Sequence, residues 1–277
     1  MKQFINIESH AEHLRVAGLD TMAGIKAWNG GLVKNHRGRR DVSRIEVAGS
    51  DGVLRVLYLK RTWQPYRKDG FSSLFRHGRV VSYSRQEWDN YMALRRVGIG
   101  TPDLIAYGEE CGPFWERFSF ILTGEIRDSI SLDQFLDQCR EPHLRRSTLR
   151  EAALTVGKMH RAGLFTPDLY SRHIFVSCQS TSQPRLCLID MARLDKCSRM
   201  VRQKVVRDLA LLNVSTPHCL LSLLERREFI RAHPVCTNGQ WLFRAVEKKS
   251  QYYLRKRRKF NGFFATHSKV SHQRNSE

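Results

Sequence analysis

The sequence predicts an α+β protein built from two lobes. Strand patterns come first along the chain and helical patterns follow, with the change near residue 125. The chain has 277 residues, which is long enough for one large domain or for two lobes that share a cleft, and 41% of the residues are hydrophobic, so a sizeable core can be buried. We therefore predict an N-terminal lobe over residues 1–124 and a C-terminal lobe over residues 125–277.

The N-terminal lobe is predicted to contain four strands and one helix. The segment SRIEVAGSDGVLRVLYLK (43–60) indicates two strands joined by a Gly/Asp/Ser turn, and the second strand ends on Lys60. A helical pattern over 84–98 is stopped by glycines. Two more strand patterns lie at 101–110 and 117–126.

The C-terminal lobe begins with predicted helices. Thr148, followed three residues later by a glutamate, is a capping-box signature that predicts a helix from there to Gly163. The segment FTPDLYSRHIFV (165–176) then indicates a loop and a strand. The segment RLCLID indicates a second strand, which ends on Asp190, and further helix is predicted after it.

Charge is the strongest bulk property of the chain. The net charge is +20 and the pI is near 10.1, which favours a polyanionic partner such as nucleic acid, an anionic membrane surface or a phosphate-bearing substrate. Basic residues concentrate at 33–40 and from residue 244 onwards, where Tyr252 and Tyr253 lie among them. We predict a basic C-terminal tail over about 244–277. Whether it is a solvated tail or a surface for nucleic acid or lipid stays open.

The sequence argues against a secreted, disulfide-rich or membrane-spanning chain. The first 25 residues lack the continuous hydrophobic region of a signal peptide. No segment approaches the roughly 20 apolar residues of a membrane-spanning helix. The seven cysteines form no CxxC pair, which favours reduced thiols over a disulfide framework or a zinc site. We therefore expect a soluble, intracellular protein.

Polar side chains interrupt the apolar patterns at several positions. On the helix over 84–98, Glu87, Tyr91 and Leu94 share one face, so Glu87 lies beside the stripe that should be buried. A buried carboxylate needs a cationic partner, and Lys60 is the candidate in this lobe. The alternative is that both side chains reach solvent.

The C-terminal lobe contains four such positions. Asp168 lies in a loop after a helix, and His173 begins a strand pattern five residues later, although such a pair alone is a weak signal. Asp190 ends an apolar run, where a carboxylate loses its hydration unless a ligand or ion binds it. Asp208 occupies the apolar face of a predicted helix.

Taken in order, these residues resemble the working parts of the protein-kinase-like phosphotransferases. The resemblance implies that Lys60 contacts nucleotide phosphates and is held by Glu87. It also implies that Asp168 orients the acceptor hydroxyl and accepts its proton, and that His173 and Asp190 bind magnesium. The implied cofactors are ATP and Mg²⁺.

The same resemblance specifies the fold. It implies a bilobal protein-kinase-like architecture, with an antiparallel sheet plus a helix in the nucleotide-binding N-lobe and a mainly helical catalytic C-lobe. The segment ILTGEIRDSISLDQFL resembles the linker between kinase lobes, with the next helix beginning at Ser131. Asp208 resembles the buried acid that supports the catalytic loop from below.

A narrower resemblance is to the bacterial lipopolysaccharide core kinases, which phosphorylate a heptose or Kdo sugar of the inner core. The segments that carry it lie between about residues 29 and 214 and are GRRDVSRIEV, LYLKRTW, QEWDNYMALRRVGIGTPDLIAYGEE, MHRAGLFTPDLYSRHIFV, LIDMARL and VRDLALL. His173 in place of asparagine, and LIDMARL in place of Asp-Phe-Gly, are departures from protein kinases that this family shares. The implied substrate is a lipopolysaccharide core glycolipid, and the implied location is cytoplasmic, peripheral at the inner face of the inner membrane.

Two features depart from the kinase pattern. Thr166 and Pro167 precede Asp168, where protein kinases carry His-Arg. No GxGxxG motif is present, and NGG (29–31) and RGR (37–39) are the candidates for the loop that covers the phosphates.

Two other functions stay open. A kinase of the same fold could phosphorylate a protein or a small-molecule hydroxyl. A catalytically inactive kinase-like scaffold would instead bind nucleic acid or a membrane through the basic aromatic segment, and this binding would survive loss of Lys60 and Asp190.

Overall fold

The computed structural model describes residues 2–36, 38–48, 52–63, 80–177, 184–197, 199, 201–234 and 239–259. Its strands are β1 (Lys2–Ile7), β2 (Leu32–His36), β3 (Arg40–Ala48), β4 (Leu54–Thr62), β5 (Leu104–Cys111), β6 (Glu116–Gly124), β7 (Ser129–Ser131), β8 (Leu164–Phe165), β9 (Ile174–Ser177), β10 (Arg185–Leu188) and β11 (Asp195–Lys196). Its α-helices are α1 (Ala11–Val16), α2 (Met22–Ala27), α3 (Tyr83–Arg96), α4 (Leu132–Gln138), α5 (Pro142–Arg161), α6 (Val201–Ser215), α7 (Leu223–Ala232) and α8 (Gly239–Lys259).

A six-stranded antiparallel sheet forms the N-terminal part of the fold. Its strand order is β1-β5-β6-β4-β3-β2. The four strands predicted from the sequence are present as β3 to β6, and β1 and β2 extend the sheet on either side. Helices α1 and α2 cover one face, where Leu14, Ile25 and Phe120 are buried in a common core.

Helix α3 covers the opposite face of the sheet and joins it to the helical part of the chain. Ser82 caps its N-terminus by accepting a hydrogen bond from a backbone N–H of the first turn, and Gly98, with a φ of +68°, follows its last turn. Trp88 and Tyr91 belong to the core that is shared with the C-terminal helices. The helix predicted over 84–98 is therefore confirmed, with its apolar face buried.

Helix α5 begins earlier than its sequence signature indicated, so the capping box predicted at Thr148 is wrong. Thr148 is completely buried inside the helix. The helix begins at Pro142 because the Glu141 carboxylate accepts hydrogen bonds from the backbone N–H groups of His143 and Leu144. Proline suits this first turn because its missing N–H would have no partner there.

Helices fill most of the C-terminal part, around two small sheets. Strands β7, β9 and β10 form one sheet, and β8 pairs with β11. Strand β10, which leads to Asp190, is tied to the N-terminal part because the Leu188 backbone N–H donates to the Gly100 carbonyl at 2.9 Å. A Cβ atom at Gly100 would lie 2.2 Å from the Leu186 carbonyl oxygen, so only glycine permits this contact.

The basic segment that begins at residue 244 is a packed helix as far as residue 259, which corrects the prediction of a tail over this range. It forms most of α8, in which Val246 and Ser250 are buried. The Asn213 side-chain amide of α6 donates to the Ser250 hydroxyl at 2.9 Å. Residues 260–277 lie outside the described residues.

The cysteines among the described residues form no disulfide bonds. Five cysteines are free there, namely Cys111, Cys139, Cys187, Cys197 and Cys219. In the part of the chain that the structure describes, no helix has both the length and the apolarity needed to cross a bilayer.

Candidate active site

Lys60 and Glu87 form an ion pair between the sheet and α3. The Lys60 Nζ atom, near the end of β4, lies 2.7 Å from Oε1 of Glu87, whose side chain is only 2% exposed. Burial disfavours the charged ammonium, but the carboxylates of Glu87 and Asp190 outweigh it, so the pKa of Lys60 is raised well above its ordinary value. The contact predicted from the helix spacing is present, and a role in nucleotide binding stays a prediction.

Tyr91 connects this ion pair to Asp190. Its hydroxyl donates to Glu87 Oε1 at 3.0 Å and accepts a hydrogen bond from the Asp190 backbone N–H, also at 3.0 Å. Burial and the Glu87 carboxylate raise the pKa of Tyr91 well above its ordinary value, so the hydroxyl keeps its proton. Tyr91 therefore fixes the Asp190 backbone relative to the Glu87 side chain.

Asp190 has an unusual backbone conformation beside Lys60. Its φ of +58° lies in the left-handed region, which residues other than glycine rarely adopt. Its Oδ1 atom is 3.7 Å from Lys60 Nζ. Burial acts against the carboxylate, but Lys60 and His173 outweigh it and lower the pKa of Asp190. Backbone strain of this kind concentrates at functional sites.

His173 and Asp190 direct a nitrogen and an oxygen toward one another. His173 Nδ1 is 2.9 Å from the Asp168 carbonyl oxygen, which can only accept, so the ring proton is on Nδ1. Nε2 then carries a lone pair, which accepts from Arg172 Nε at 3.3 Å and lies 3.6 Å from Asp190 Oδ2. Burial lowers the pKa of His173, so the imidazole is neutral at pH 7.

The donor atoms of His173 and Asp190 fit a magnesium ion. Mg²⁺ commonly takes one or two protein ligands and completes its octahedron with water and phosphate oxygens. An ionised carboxylate is a preferred ligand, and a neutral imidazole nitrogen is a softer one. Among the described residues, no three His, Cys, Asp or Glu side chains are grouped around a common point.

Asp168 lies in the loop that follows β8, with its side chain 18% exposed. Arg193 Nη1 donates to its Oδ1 atom at 3.1 Å. Burial raises the pKa of Asp168 above its ordinary value, although the Arg193 guanidinium acts in the opposite direction. A carboxylate with a raised pKa is a stronger proton acceptor, so the environment suits a general base.

Asp208 of α6 supports the Asp168 loop from inside the protein. It is completely buried, and its Oδ2 atom accepts the Thr166 backbone N–H at 2.9 Å and lies 3.3 Å from His160 Nε2. The Thr166 hydroxyl in turn accepts the Asp168 backbone N–H at 3.2 Å. Asp208 binds the backbone N–H of residue 166 and not its side chain. The contact therefore forms with threonine at this position, where protein kinases carry another residue. The structural contact expected of Asp208 is therefore present.

The β2–β3 hairpin contains one of the two candidates for a phosphate-covering loop. The RGR candidate lies at its turn, partly outside the described residues. Lys34 of β2 is close enough to contribute to the lowered pKa of Asp190. The NGG candidate lies before β2, where the Gly31 carbonyl accepts the Arg44 backbone N–H. The β2–β3 hairpin therefore contributes positive charge, through Lys34, to the surroundings of Asp190.

Asn90 and Arg193 contribute to the site although the sequence did not single them out. The Asn90 side-chain amide donates to the Met191 carbonyl at 2.8 Å, and the carbonyls of Ala192 and Leu194 lie within 3.3 Å of it. These bonds fasten the segment after Asp190 to α3.

A separate apolar cavity lies among the C-terminal helices. Its volume is about 220 Å³. Its lining is mainly aliphatic and aromatic, with polar and charged side chains among it, namely Leu132, Leu149, Leu209, Leu212, Leu221, Leu223, Phe229, Ile230, Phe243 and Val246 together with Asn213, Thr216, His218, Arg226 and Glu247. None of the five predicted site residues lines it, so the cavity and the polar cluster are distinct features.

The model of one known protein family matches most of the chain. Residues 24–233, more than half of the chain, match the model of the lipopolysaccharide kinase (Kdo/WaaP) family. The chain belongs to this family. The resemblance noted from the sequence motifs is thereby confirmed.

Similar proteins of the lipopolysaccharide kinase family carry heptose kinase names. The lipopolysaccharide core heptose(I) kinase WaaP of Pseudomonas aeruginosa PAO1 is 28% identical over 223 residues, which cover 78% of this chain and 81% of the relative. The WaaP of Escherichia coli K12 is 26% identical over 223 residues, which cover 78% and 82%. A solved structure of WaaP in complex with acyl carrier protein has a TM-score of 0.68 at 26% identity and covers 92% of this chain and 98% of that one.

Membership in the lipopolysaccharide kinase family establishes the class of reaction. The chain is a phosphotransferase that uses ATP and an alcohol acceptor, and its fold is protein-kinase-like. The predicted phosphotransferase activity and the predicted protein-kinase-like fold are both confirmed. The alternative of a catalytically inactive scaffold loses its support.

Proposed function

We propose that this kinase phosphorylates a sugar hydroxyl of the lipopolysaccharide inner core, and that the sugar is a heptose. The relatives named as heptose(I) kinases support the choice of sugar. The observation that carries the proposal is the cluster of Lys60, Glu87 and Asp190, in which Lys60 Nζ lies 2.7 Å from one carboxylate and 3.7 Å from the other. A cation held between two carboxylates, one of them strained and accessible, suits a site for nucleotide and metal.

In this proposal the N-terminal lobe, residues 1–124, binds the nucleotide. Lys60 binds phosphate oxygens of ATP, and Glu87 fixes the direction of its ammonium group. The β2–β3 hairpin covers the phosphates, and Lys34 supplies charge where kinases use glycine-rich backbone. The charge that Lys34 exerts on Asp190 supports this position of the hairpin.

His173 and Asp190 would hold a magnesium ion through Nε2 and the carboxylate. When bound, magnesium would neutralise charge on the transferring phosphate. Arg172 Nε, which donates to His173 Nε2, would move off this nitrogen. The Nδ1–H bond to the Asp168 carbonyl fixes the imidazole in the tautomer that offers Nε2.

Asp168 acts as the base of the C-terminal lobe, residues 125–277. Its carboxylate accepts the proton of the sugar hydroxyl while the hydroxyl oxygen bonds to the γ-phosphorus and the bond to ADP breaks. Two contacts hold the loop around it, because Asp208 binds the Thr166 N–H and His173 binds the Asp168 carbonyl. Such fixed positioning supplies much of the rate in phosphoryl transfer.

The test is phosphate transfer from ATP to purified inner-core glycolipid. Asp168→Asn should lower turnover roughly 100- to 10,000-fold, with magnesium-dependent ATP binding retained. Asp190→Asn should lose magnesium-dependent ATP binding, measured by calorimetry. A folded Asp168→Asn protein with full turnover would reject Asp168 as the base. Transfer to a soluble sugar or protein, with none to the glycolipid, would favour the other acceptor class.

We also propose that α8 docks on an anionic membrane surface, where the glycolipid acceptor would be found. Trp241, Arg244, Lys248 and Tyr252 are exposed and are spaced by three or four residues, so they share one helix face. Aromatic rings suit the headgroup region, and each basic residue near an anionic bilayer contributes about 1 kcal/mol. These residues form a defined basic and aromatic surface on this positively charged chain.

The acyl carrier protein bound to the solved WaaP supports a further partner. We propose that this chain binds an acylated carrier, and that the cavity of about 220 Å³ accepts part of the acyl chain because most of its lining residues are aliphatic or aromatic. Leu209→Trp, which fills the cavity, should weaken binding of an acylated carrier and preserve ATP binding. Equal affinity of the two proteins for the carrier would reject this use of the cavity.

A further inference from the structure

Arg193 makes a contact that is unexpected beside a proton acceptor. Its Nη1 atom lies 3.1 Å from Oδ1 of Asp168. A cation next to a carboxylate stabilises the ionised form and so weakens it as a base. The arginine is also 60% exposed, so the pair gains little from a low-dielectric setting. Neither catalysis by Asp168 nor the stability of the fold accounts for an arginine at this position.

The backbone that carries Arg193 is fixed, whereas its side chain faces solvent. Asn90 of α3 donates to the Met191 carbonyl at 2.8 Å and lies within 3.3 Å of the carbonyls of Ala192 and Leu194, on either side of Arg193. The side chain extends from this anchored segment to the exposed edge of the Asp168 carboxylate. A fixed backbone that carries a side chain with an accessible charged end is the arrangement that preorganised ligand contacts require.

Most of the hydrogen-bonding capacity of Arg193 is unused. A guanidinium has five N–H donors in a planar fork that matches carboxylate and phosphate groups. In the described part of the chain, the Asp168 contact is the hydrogen bond that Arg193 makes, and it uses Nη1 and Oδ1. The other donors remain for an anion, and the second Asp168 oxygen remains for an acceptor hydroxyl.

We propose that Arg193 binds an acidic group of the acceptor, beside the hydroxyl that is phosphorylated, and thereby aligns that hydroxyl with Asp168. This inference rests on the proposed function, since it concerns the acceptor of the same reaction. The shared chemistry is a carboxylate or phosphate oxyanion. An inner-core glycolipid has two sources of it, the carboxylates of its acidic sugars and its phosphate groups. Arg193 is a specificity-determining residue in this scheme, and Asp168 remains the base.

The experiment measures kcat/KM for three acceptors at saturating ATP. They are the intact inner-core glycolipid, the same glycolipid with its carboxyl groups reduced to alcohols, and the same glycolipid after removal of its phosphates. Each is tested with the wild type, Arg193→Gln and Arg193→Lys. Arg150→Gln, which removes an exposed arginine on α5, controls for net charge. Arg193→Lys keeps the charge and provides a second variant if the glutamine protein is poorly folded.

For the wild type, removal of the recognised anion should lower kcat/KM roughly 10- to 100-fold, as expected for loss of a charge-assisted hydrogen bond. The acceptor that shows this loss identifies the source as carboxylate or phosphate. Arg193→Gln should show a similar loss on the intact glycolipid and no further loss on the modified one. Arg193→Lys should retain part of the discrimination.

Equal loss on all three acceptors in Arg193→Gln would overturn the inference, because Arg193 would then act through Asp168 alone. Equal kcat/KM of the wild type for the three acceptors would overturn it as well. In both cases wild-type transfer to the glycolipid would leave the proposed function intact. Absence of wild-type transfer to any of the three would reject the proposed function together with the inference.

Discussion

The backbone N–H of Asp190 donates to the Tyr91 hydroxyl at 3.0 Å, so the strained residue after β10 is held by the helix that carries Glu87. The same hydroxyl donates to Glu87, which in turn binds Lys60. A displacement of α3 would therefore disturb the Lys60 ion pair and the Asp190 backbone together. One buried tyrosine couples the two parts of the site that are proposed to bind nucleotide and metal.

Replacing Tyr91 with phenylalanine should break this coupling with little change in side-chain volume. The Asp190 N–H and the Glu87 carboxylate each lose a partner, so the free energy of unfolding should fall by about 1–3 kcal/mol. Magnesium-dependent ATP binding should weaken because the left-handed Asp190 backbone is no longer held. Thermal unfolding and calorimetry test both effects. Tyr252→Phe, at an exposed tyrosine of α8, is the matched control, and unchanged ATP binding in Tyr91→Phe would refute the coupling.

Glu87→Gln should raise the KM for ATP roughly tenfold or more, because a charge-assisted hydrogen bond that orients Lys60 is weakened. The ammonium would turn toward Asp190, whose Oδ1 atom is already 3.7 Å away. Steady-state kinetics with varied ATP measure the effect. Asp89→Asn makes the same change of charge at an exposed position of α3 and should leave the KM for ATP as it is. A stable Glu87→Gln protein with normal KM would show that Lys60 needs no such partner.

Sequence patterns singled out the charged residues of the candidate site because these residues interrupt apolar patterns. Glu87 on a buried helix face and Asp190 after an apolar strand would be costly without a partner, and both have one. Tyr91 was placed correctly on the buried face, yet a tyrosine counts as apolar in such a pattern. Its hydroxyl contacts depend on how α3 lies against Asp190, which spacing along the chain does not contain. Arg193 gave no signal either, since an exposed arginine in a basic chain is unremarkable.

Two wrong boundaries have local physical causes. Thr148 has the spacing of a capping box, but it lies within a helix that Glu141 and Pro142 had already begun. The segment from 244 was interpreted as a tail because its charge dominates its composition. Val246 and Ser250, four residues apart, show the spacing of a buried helix face, which is where the structure has them.

His233, which follows α7, should make stability depend on pH. It is 1% exposed, and its Nε2 atom lies 2.9 Å from Nδ1 of His160. Burial, together with His160 and Arg161, lowers the pKa of His233 from 6.5 to about 3. The unfolded chain therefore binds a proton near pH 6.5 that the native chain does not, so this stability is present above pH 6.5 and is lost as pH falls toward 3.

Between pH 7.5 and 5.5, the contribution of His233 to the free energy of unfolding should fall by about 1.4 kcal/mol. Urea denaturation at the two pH values measures it. His233→Gln should reduce the difference by about this amount, whereas His218→Gln, at an exposed histidine, should preserve it. An unchanged difference in His233→Gln would mean that other groups cause the acid sensitivity.

The exposed face of α8 should determine affinity for anionic membranes. Replacing Arg244 and Lys248 together with glutamine removes two charges from this face, so partitioning into phosphatidylglycerol vesicles should weaken roughly 30-fold at low salt. The control replaces Arg96 and Arg150, which are exposed on α3 and α5, with glutamine. It loses the same net charge away from α8 and should bind nearly as the wild type does. Cosedimentation with these vesicles, and with neutral ones that should bind little of any protein, measures the difference. Equal loss in the two double variants would mean that the overall charge of the chain attracts the membrane, and that α8 is no more a docking face than the rest of the surface.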